Sequence, residues 1–362
     1  MKMRVFRLLS VLFAPVLVSA QGTGPTPSSG PEILWEFDTG GRVFSTPTVV
    51  GDSVVVSSCN GMIRALDNKT GQVKWSYDIR KDGEHSQFHG DPLVTDEFAI
   101  IGTDGKIGHV YAFERSPGAV RWKYRVDKRG VASDIVRLEG NVFAVTLGDE
   151  LVSLDLKTGK PNWTFRAGYS AQDCLTCSSP VAAEGHVYFG GLDGFAHALN
   201  SQTGKLIWKR DLGAKLTTSA AIRGHDLYLG TVKRHLYRLN IDSGEVLSDF
   251  VTDAAPNGRP IASDDSLFAF LGDEIFASID LNMKTLRWSA EASKEWTSAR
   301  PYLWHGKVLA GNRRELVAFA ATDGTRVWSH QFPETVRGIG TSDEVLYVGS
   351  LKGPIFAYRA KP

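Results

Sequence analysis

The chain has 362 residues, with 41 Lys and Arg against 40 Asp and Glu. That near-neutral balance excludes a nucleic-acid partner, whose binding depends on clustered basic residues. After residue 20 no stretch approaches the roughly 20 continuous apolar residues of a membrane-spanning helix, so no transmembrane segment is expected.

Residues 1–20 read as an export signal: Lys2, Arg4 and Arg7 precede the apolar run LLSVLFAPVLV and the small-residue exit Val18-Ser19-Ala20. Cleavage before Gln21 predicts a periplasmic or secreted protein with 38 basic and 40 acidic residues. The first cysteine is Cys59, too far from the signal to carry a lipid, so no lipid anchor is expected. Residues 21–31, QGTGPTPSSGP, cannot bury a core and read as a flexible leader.

From residue 32 the chain is periodic. ALDNKTGQVKW at 65–75 recurs as AFERSPGAVRW at 112–122, SLDLKTGKPNW at 153–163 and ALNSQTGKLIW at 198–208. Weaker copies are RLNIDSGEVLS at 238–248, SIDLNMKTLRW at 278–288 and AFAATDGTRVW at 318–328. Aligned on the last position, Trp35, Trp75, Trp122, Trp163, Trp208, Ser248, Trp288 and Trp328 are separated by 40, 47, 41, 45, 40, 40 and 40 residues. Such a period means stacked supersecondary units. Each unit holds four short alternating runs divided by turn signals, as in SPVAAEG, HVYFGGL, FAHALNS and KLIWKRD, which predicts four-stranded antiparallel blades.

The first run, ILWEFDTG at 33–40, has no unit before it, and the last unit ends at GPIFAYRAKP without a Trp-bearing strand. Pairing these two pieces completes an eighth blade and leaves no open sheet edge. The predicted fold is therefore an all-β, eight-bladed propeller over residues 32–362, closed by its N-terminal strand. A monomer is expected.

The segments resemble the Ala-x-Asp-x-x-Thr-Gly-x-x-x-Trp docking motif of the PQQ-like repeat propellers. The resemblance implies that Trp35, Trp75, Trp122, Trp163, Trp208, Trp288 and Trp328 pack between neighbouring blades, each received by a Thr-Gly turn. Only 65–75 keeps the whole motif; Glu114, Pro117, Ser153, Asn200, Ser248, Met283 and Lys284 depart from it. Ser248 cannot fill a Trp-sized gap, so Phe250 or a neighbouring blade must compensate. Within the family, compact size and an export signal resemble the non-catalytic BamB-like group of envelope assembly proteins. Quinone-dependent dehydrogenases share the repeat but carry large insertions around a calcium and quinone pocket, adjacent cysteines and catalytic carboxylates that are not matched here.

Candidate functional residues fall on the loops joining successive blades. Seventeen residues separate Trp75 from Pro92 and Trp163 from Pro180, against 12 between Trp35 and Pro47, and loop insertions mark a binding face. The first long loop carries His85, His89 and Asp91; the second carries Cys174-Leu-Thr-Cys177. A disulfide between Cys174 and Cys177 is expected in an exported protein, with a metal or redox site of His85, His89, Cys174 and Cys177 as an alternative. Cys59 reads as a buried or half-buried free thiol. Arg42, Arg129, Lys215, Arg259, Lys294, Arg300, Arg313, Arg314 and Arg337 would make the mouth basic, and Trp296, beside Lys294 and Glu295, is an interface anchor candidate.

No nucleophile-elbow, phosphate-loop or zinc-protease motif occurs. The sequence therefore predicts a non-catalytic exported scaffold that binds a protein or peptide partner at the channel mouth, without a cofactor. The alternatives are a small oxidoreductase using PQQ with calcium, and a metal-binding or redox-sensing propeller.

Overall fold

The computed structural model describes residues 32–83, 87–105, 107–126, 130–168, 178–216, 218–291 and 300–359. The expected signal and leader, residues 1–31, lie outside them. The described residues form eight four-stranded antiparallel sheets arranged as a propeller. Seven blades are continuous in sequence: blade I spans residues 48–78, II 93–126, III 136–166, IV 181–211, V 221–251, VI 256–291 and VII 302–331. Among the described residues no helix is long and apolar enough to cross a membrane.

Blade VIII closes the ring. Strand β1 (Glu32–Asp38) pairs antiparallel with the last strand, β32 (Pro354–Arg359), in a register that sets Trp35 opposite Ala357 and Asp38 opposite Pro354. The seam predicted from the two chain ends is thus the observed one.

Second strands are buried almost throughout and third strands in part, whereas fourth strands alternate, as in VKWSYD with only Trp75 buried. The period-2 alternation aims one face of each outer strand at the next blade. There the docking tryptophans act. The indole N–H groups of Trp35, Trp75, Trp122, Trp163, Trp208 and Trp288 donate to the carbonyls of Asn68, Arg115, Leu156, Ser201, Ile241 and Ala321 in the following blade, at 2.6–3.1 Å. Each ring buries apolar surface while its one polar atom keeps a partner.

The turn that receives the ring is built by its aspartate. Asp67 Oδ1 accepts from the backbone amides of Lys69 and Thr70 and from the Thr70 hydroxyl, which holds its carboxyl below the usual range. The turn then passes through Gly71 at φ +70°, where a Cβ would stand 2.8 Å from the Trp35 ring. Glycine is needed twice over, for the left-handed backbone and for the face of the indole.

Blade V lacks the tryptophan, and the structure shows how the gap is filled. Ser248 Oγ donates to the Asn282 carbonyl at 2.7 Å, and the Tyr228 hydroxyl donates to the Leu281 carbonyl at 3.2 Å. Met283, at φ +58°, is buried in the V/VI core with Phe250 packed against it. With no indole to admit, the glycine slot is free to hold Lys284. The sequence expectation named Phe250 or the neighbouring blade, and both contribute.

Trp328 differs in another way. It is buried against Phe332, Phe356 and Tyr358, yet its indole nitrogen has no hydrogen-bond partner among the described residues. The reason is topological: the receiving turn would join β32 to β1, and the chain does not run that way. Trp304, in the first strand of blade VII, is a packing residue whose indole donates to the Asp343 carbonyl at 2.9 Å.

Candidate functional site at the channel mouth

The loops between blades and the loops joining second to third strands share one face. The segments entering successive blades are stitched into a belt. The Thr46 amide donates to Asp91 Oδ1 (2.5 Å), the Asp91 amide to Asp134 Oδ1 (2.9 Å), the Asp134 amide to Ser179 Oγ (3.0 Å), the Ser179 amide to Ser219 Oγ (3.0 Å) and the Ser219 amide to the Gly258 carbonyl (3.2 Å). One side chain from each of blades II to V therefore satisfies one amide of the preceding blade, and blade VI continues the belt with a main-chain carbonyl. Sequence reasoning missed this belt; its signal is an Asp or Ser just before the first strand of blades II to V.

Inside the belt is a cavity of about 510 Å³, lined in part by Asp91, Asp134, Arg259, Arg300 and Tyr302. Arg259, on the first strand of blade VI, reaches Asp134 at the entry to blade III, with Nη1 3.2 Å from Oδ2. Burial and the like charge of Arg300 push the Arg259 guanidinium below its ordinary value, opposed by Asp134 and Asp91. Burial and the neighbouring Asp134 push Asp91 up to about 6. Two carboxylates thus face two guanidinium groups in a desolvated channel. Asp91 Oδ1 and Asp134 Oδ1 each accept a backbone amide, and Asp134 Oδ2 faces Arg259.

A second group lies at the rim, over the junction of blades VIII, I and II. The Phe44 ring has the Arg337 guanidinium 5.0 Å and the Arg42 guanidinium 5.9 Å from its centroid, both at cation–π distance. His89 meets the same ring edge-on, with centroids 4.9 Å apart. Burial lowers the Arg337 pKa. His89 Nδ1 donates to Asp104, 2.8 Å from both oxygens, and Nε2 stands 3.7 Å from Cys59 Sγ. The Asp104 bond, and then the Cys59 contact, raise the His89 pKa to about 9 against the cost of burial.

Of the residues singled out from sequence, Arg259 and Arg300 meet in the channel, and Arg42, His89 and Arg337 meet at the rim. Lys215 is exposed in the loop between blades IV and V and does not line the cavity. His85, Arg129, Cys174, Cys177 and Trp296 lie outside the described residues, and with them the expected disulfide and most of the alternative metal site. For His89 the structure gives different company from the cysteines of the second loop: Cys59 and Asp104 take its two ring nitrogens. Asp104 carried no sequence signal. Elsewhere, Glu184, His225 and Asp242 place ligand atoms within 4.8 Å of one another, but all three are exposed.

A family sequence model described as "Outer membrane protein assembly factor BamB" matches residues 26–108, 92–269 and 232–361. The Outer membrane protein assembly factor BamB of Yersinia pestis is 25% identical over 249 residues, covering 65% of this chain and 61% of its own length. The chain thus spans about three-fifths of the length of that curated relative. Among solved structures, BamB from Moraxella catarrhalis superposes with a TM-score of 0.78 at 15% identity, over 91% of this chain and 99% of that one. The quinohemoprotein alcohol dehydrogenase ADHIIG of Pseudomonas putida HK5 gives 0.73 at 13% identity, over 91% of this chain and 76% of its own. At such identities both structures share the fold alone.

Proposed function

We propose that this chain, which belongs to the outer membrane protein assembly factor BamB family, is an envelope scaffold that holds a protein or peptide partner at its channel mouth. The observation that supports this reading is the rim array of Arg42, Phe44 and Arg337. An aromatic ring covered by two guanidinium groups, on the face where the blade-joining loops gather, has the composition of an interface anchor. Arginine presents planar donors that match carboxylates, so the partner surface is acidic with an apolar element to cover Phe44. The channel arginines continue this field inward, and Arg259 is tied to Asp134.

The partner on this reading is a component of the outer-membrane protein assembly machinery of the same cell, and the location is the periplasmic side of the envelope. The test is site-specific photocrosslinking from position 44 in living cells. A crosslink to that machinery, lost in an Arg42→Glu, Arg337→Glu chain that still folds, is the expected result. Crosslinking to it that is unchanged by both charge reversals would overturn the assignment of the surface.

A further inference from the structure

Cys59, His89 and Asp104 come from three separate segments: the loop between the second and third strands of blade I, the loop joining blades I and II, and the corresponding second-to-third loop of blade II. Each is fixed in place. The Cys59 amide donates to the Arg42 carbonyl at 2.8 Å, Phe88 beside His89 is fully buried, and Gln87 and Asp104 exchange backbone bonds at 2.9 and 3.0 Å. The sulfur and the carboxylate lie on opposite ring nitrogens of one imidazole, so they cannot converge on a single metal ion. The arrangement is a relay.

A nucleophile within reach of a base, with that base oriented by a third group, is the geometry that activates side chains for covalent chemistry. Asp104 accepts from Nδ1 and leaves Nε2 beside the sulfur, whose other contact is the Phe88 carbonyl at 3.7 Å. The Asp104 bond favours the protonated ring, so Nε2–H points at the sulfur and the reactive form is a thiolate beside an imidazolium. Other charged groups at this rim are Arg42, from the segment before blade I, and Arg337, from blade VIII; both lie against the Phe44 ring that His89 touches and favour an anionic reactant.

The surroundings select the reaction. Acyl transfer needs free donors aimed at an oxyanion. Here the Cys59 amide is spent on the Arg42 carbonyl, and one N–H of the Asn60 side chain is spent on the Thr39 carbonyl at 3.1 Å. Thiol–disulfide exchange needs no such donors.

We propose that Cys59, His89 and Asp104 form a nucleophilic thiol site at the junction of blades I and II that reacts with anionic disulfides. The Cys59 thiolate attacks one sulfur of the substrate, the new S–S bond forms as the old one breaks, and the departing thiolate takes the proton from His89 Nε2. One disulfide replaces another, so no further oxidant or reductant is consumed. Cys59 is the nucleophile, His89 its base, and Asp104 a positioning residue. The site shares Arg42 and Arg337 with the partner surface proposed above, but its chemistry needs no partner bound there.

The experiment uses the full exported chain, with oxidised glutathione as the anionic disulfide, cystamine as the cationic one, and iodoacetamide as a neutral alkylating probe. Peptide mapping by mass spectrometry assigns each adduct, which separates Cys59 from Cys174 and Cys177. A thiol of ordinary pKa near 8.5 is only about 3% thiolate at neutral pH, and the lower nucleophilicity of an ion-paired thiolate offsets part of the gain. Cys59 should therefore react about tenfold faster than a free peptide thiol, and faster with oxidised glutathione than with cystamine. His89→Ala should return its rate to that of a peptide thiol. Asp104→Asn should lower the rate part of the way and Asp104→Glu should restore most of it, while the melting curve shows a folded chain. A wild-type Cys59 that reacts no faster than a peptide thiol would overturn the nucleophile. A preference for cystamine would overturn the anionic substrate class.

Discussion

Substituting alanine at two glycines of blade III separates two roles that glycine plays in this fold. Gly159 and Gly140 both sit in the left-handed region, at φ +67° and +83°. An alanine Cβ at 159 would stand 2.5 Å from Cδ2 of Trp122, whereas at 140 it would meet nothing within 4 Å. Left-handed backbone costs an L-residue roughly 1–2 kcal/mol at either site. The gain from a stiffer unfolded chain is also common to both. The ring contact is not. Trp122 cannot retreat without lengthening its 3.0 Å bond to the Leu156 carbonyl, and overpacking of this kind costs about 1–3 kcal/mol. Gly159→Ala should therefore lower stability by about 2–4 kcal/mol in total and Gly140→Ala by about 1, read as the shift in the urea unfolding midpoint. Equal shifts for the two variants would show that the receiving turn is glycine for its backbone alone, and the account of ring docking would fail.

Met283→Ala should cost about 2–5 kcal/mol by urea unfolding, because this side chain fills the space that a tryptophan at 248 would have taken. For His89 the folded pKa of about 9 lies above the unfolded value of 6.5, so its stabilising contribution is complete below pH 6.5 and lost as pH rises through 9. Melting temperature should fall across that window in the wild type and stay flatter in Asp104→Asn. In the channel, Arg259→Ala should destabilise by about 3 kcal/mol, since it strands Asp134 in a largely desolvated place. Arg259→Met combined with Asp134→Asn should recover most of that loss, measured as a double-mutant cycle.

The ring was legible in the sequence because its construction is repetitive. An indole every 40 to 47 residues and a turn centred on glycine state the same local instruction again and again, and the two incomplete end units state how the circle closes. Even the gap at Ser248 announced a compensation, although its main agent, Met283, could be recognised only once the altered turn was seen. The site was legible only in its arginines. Cys59 and His89 are 30 residues apart and His89 and Asp104 are 15 apart, spacings that belong to no motif. Their meeting depends on how far blade II is rotated from blade I, a quantity no single repeat encodes. The amide belt escaped notice for a related reason: an Asp or Ser before a strand looks like an ordinary turn residue until its neighbour across the blade junction is known.

The seam has a consequence for the order of events during synthesis. Of the propeller's strands β1 is made first, yet its hydrogen-bonding partner, β32, is made last. For most of translation β1 has no sheet to join. Its indole does have somewhere to go, since Trp35 packs against Val54, Val56 and Leu66 and donates to the Asn68 carbonyl, all within blade I. The first strand can therefore ride on its early-made neighbour, held by one side chain, until its pairing partner arrives. Closure of the circle is then a docking step that waits for β32, and the propeller remains an open arc until that strand is available.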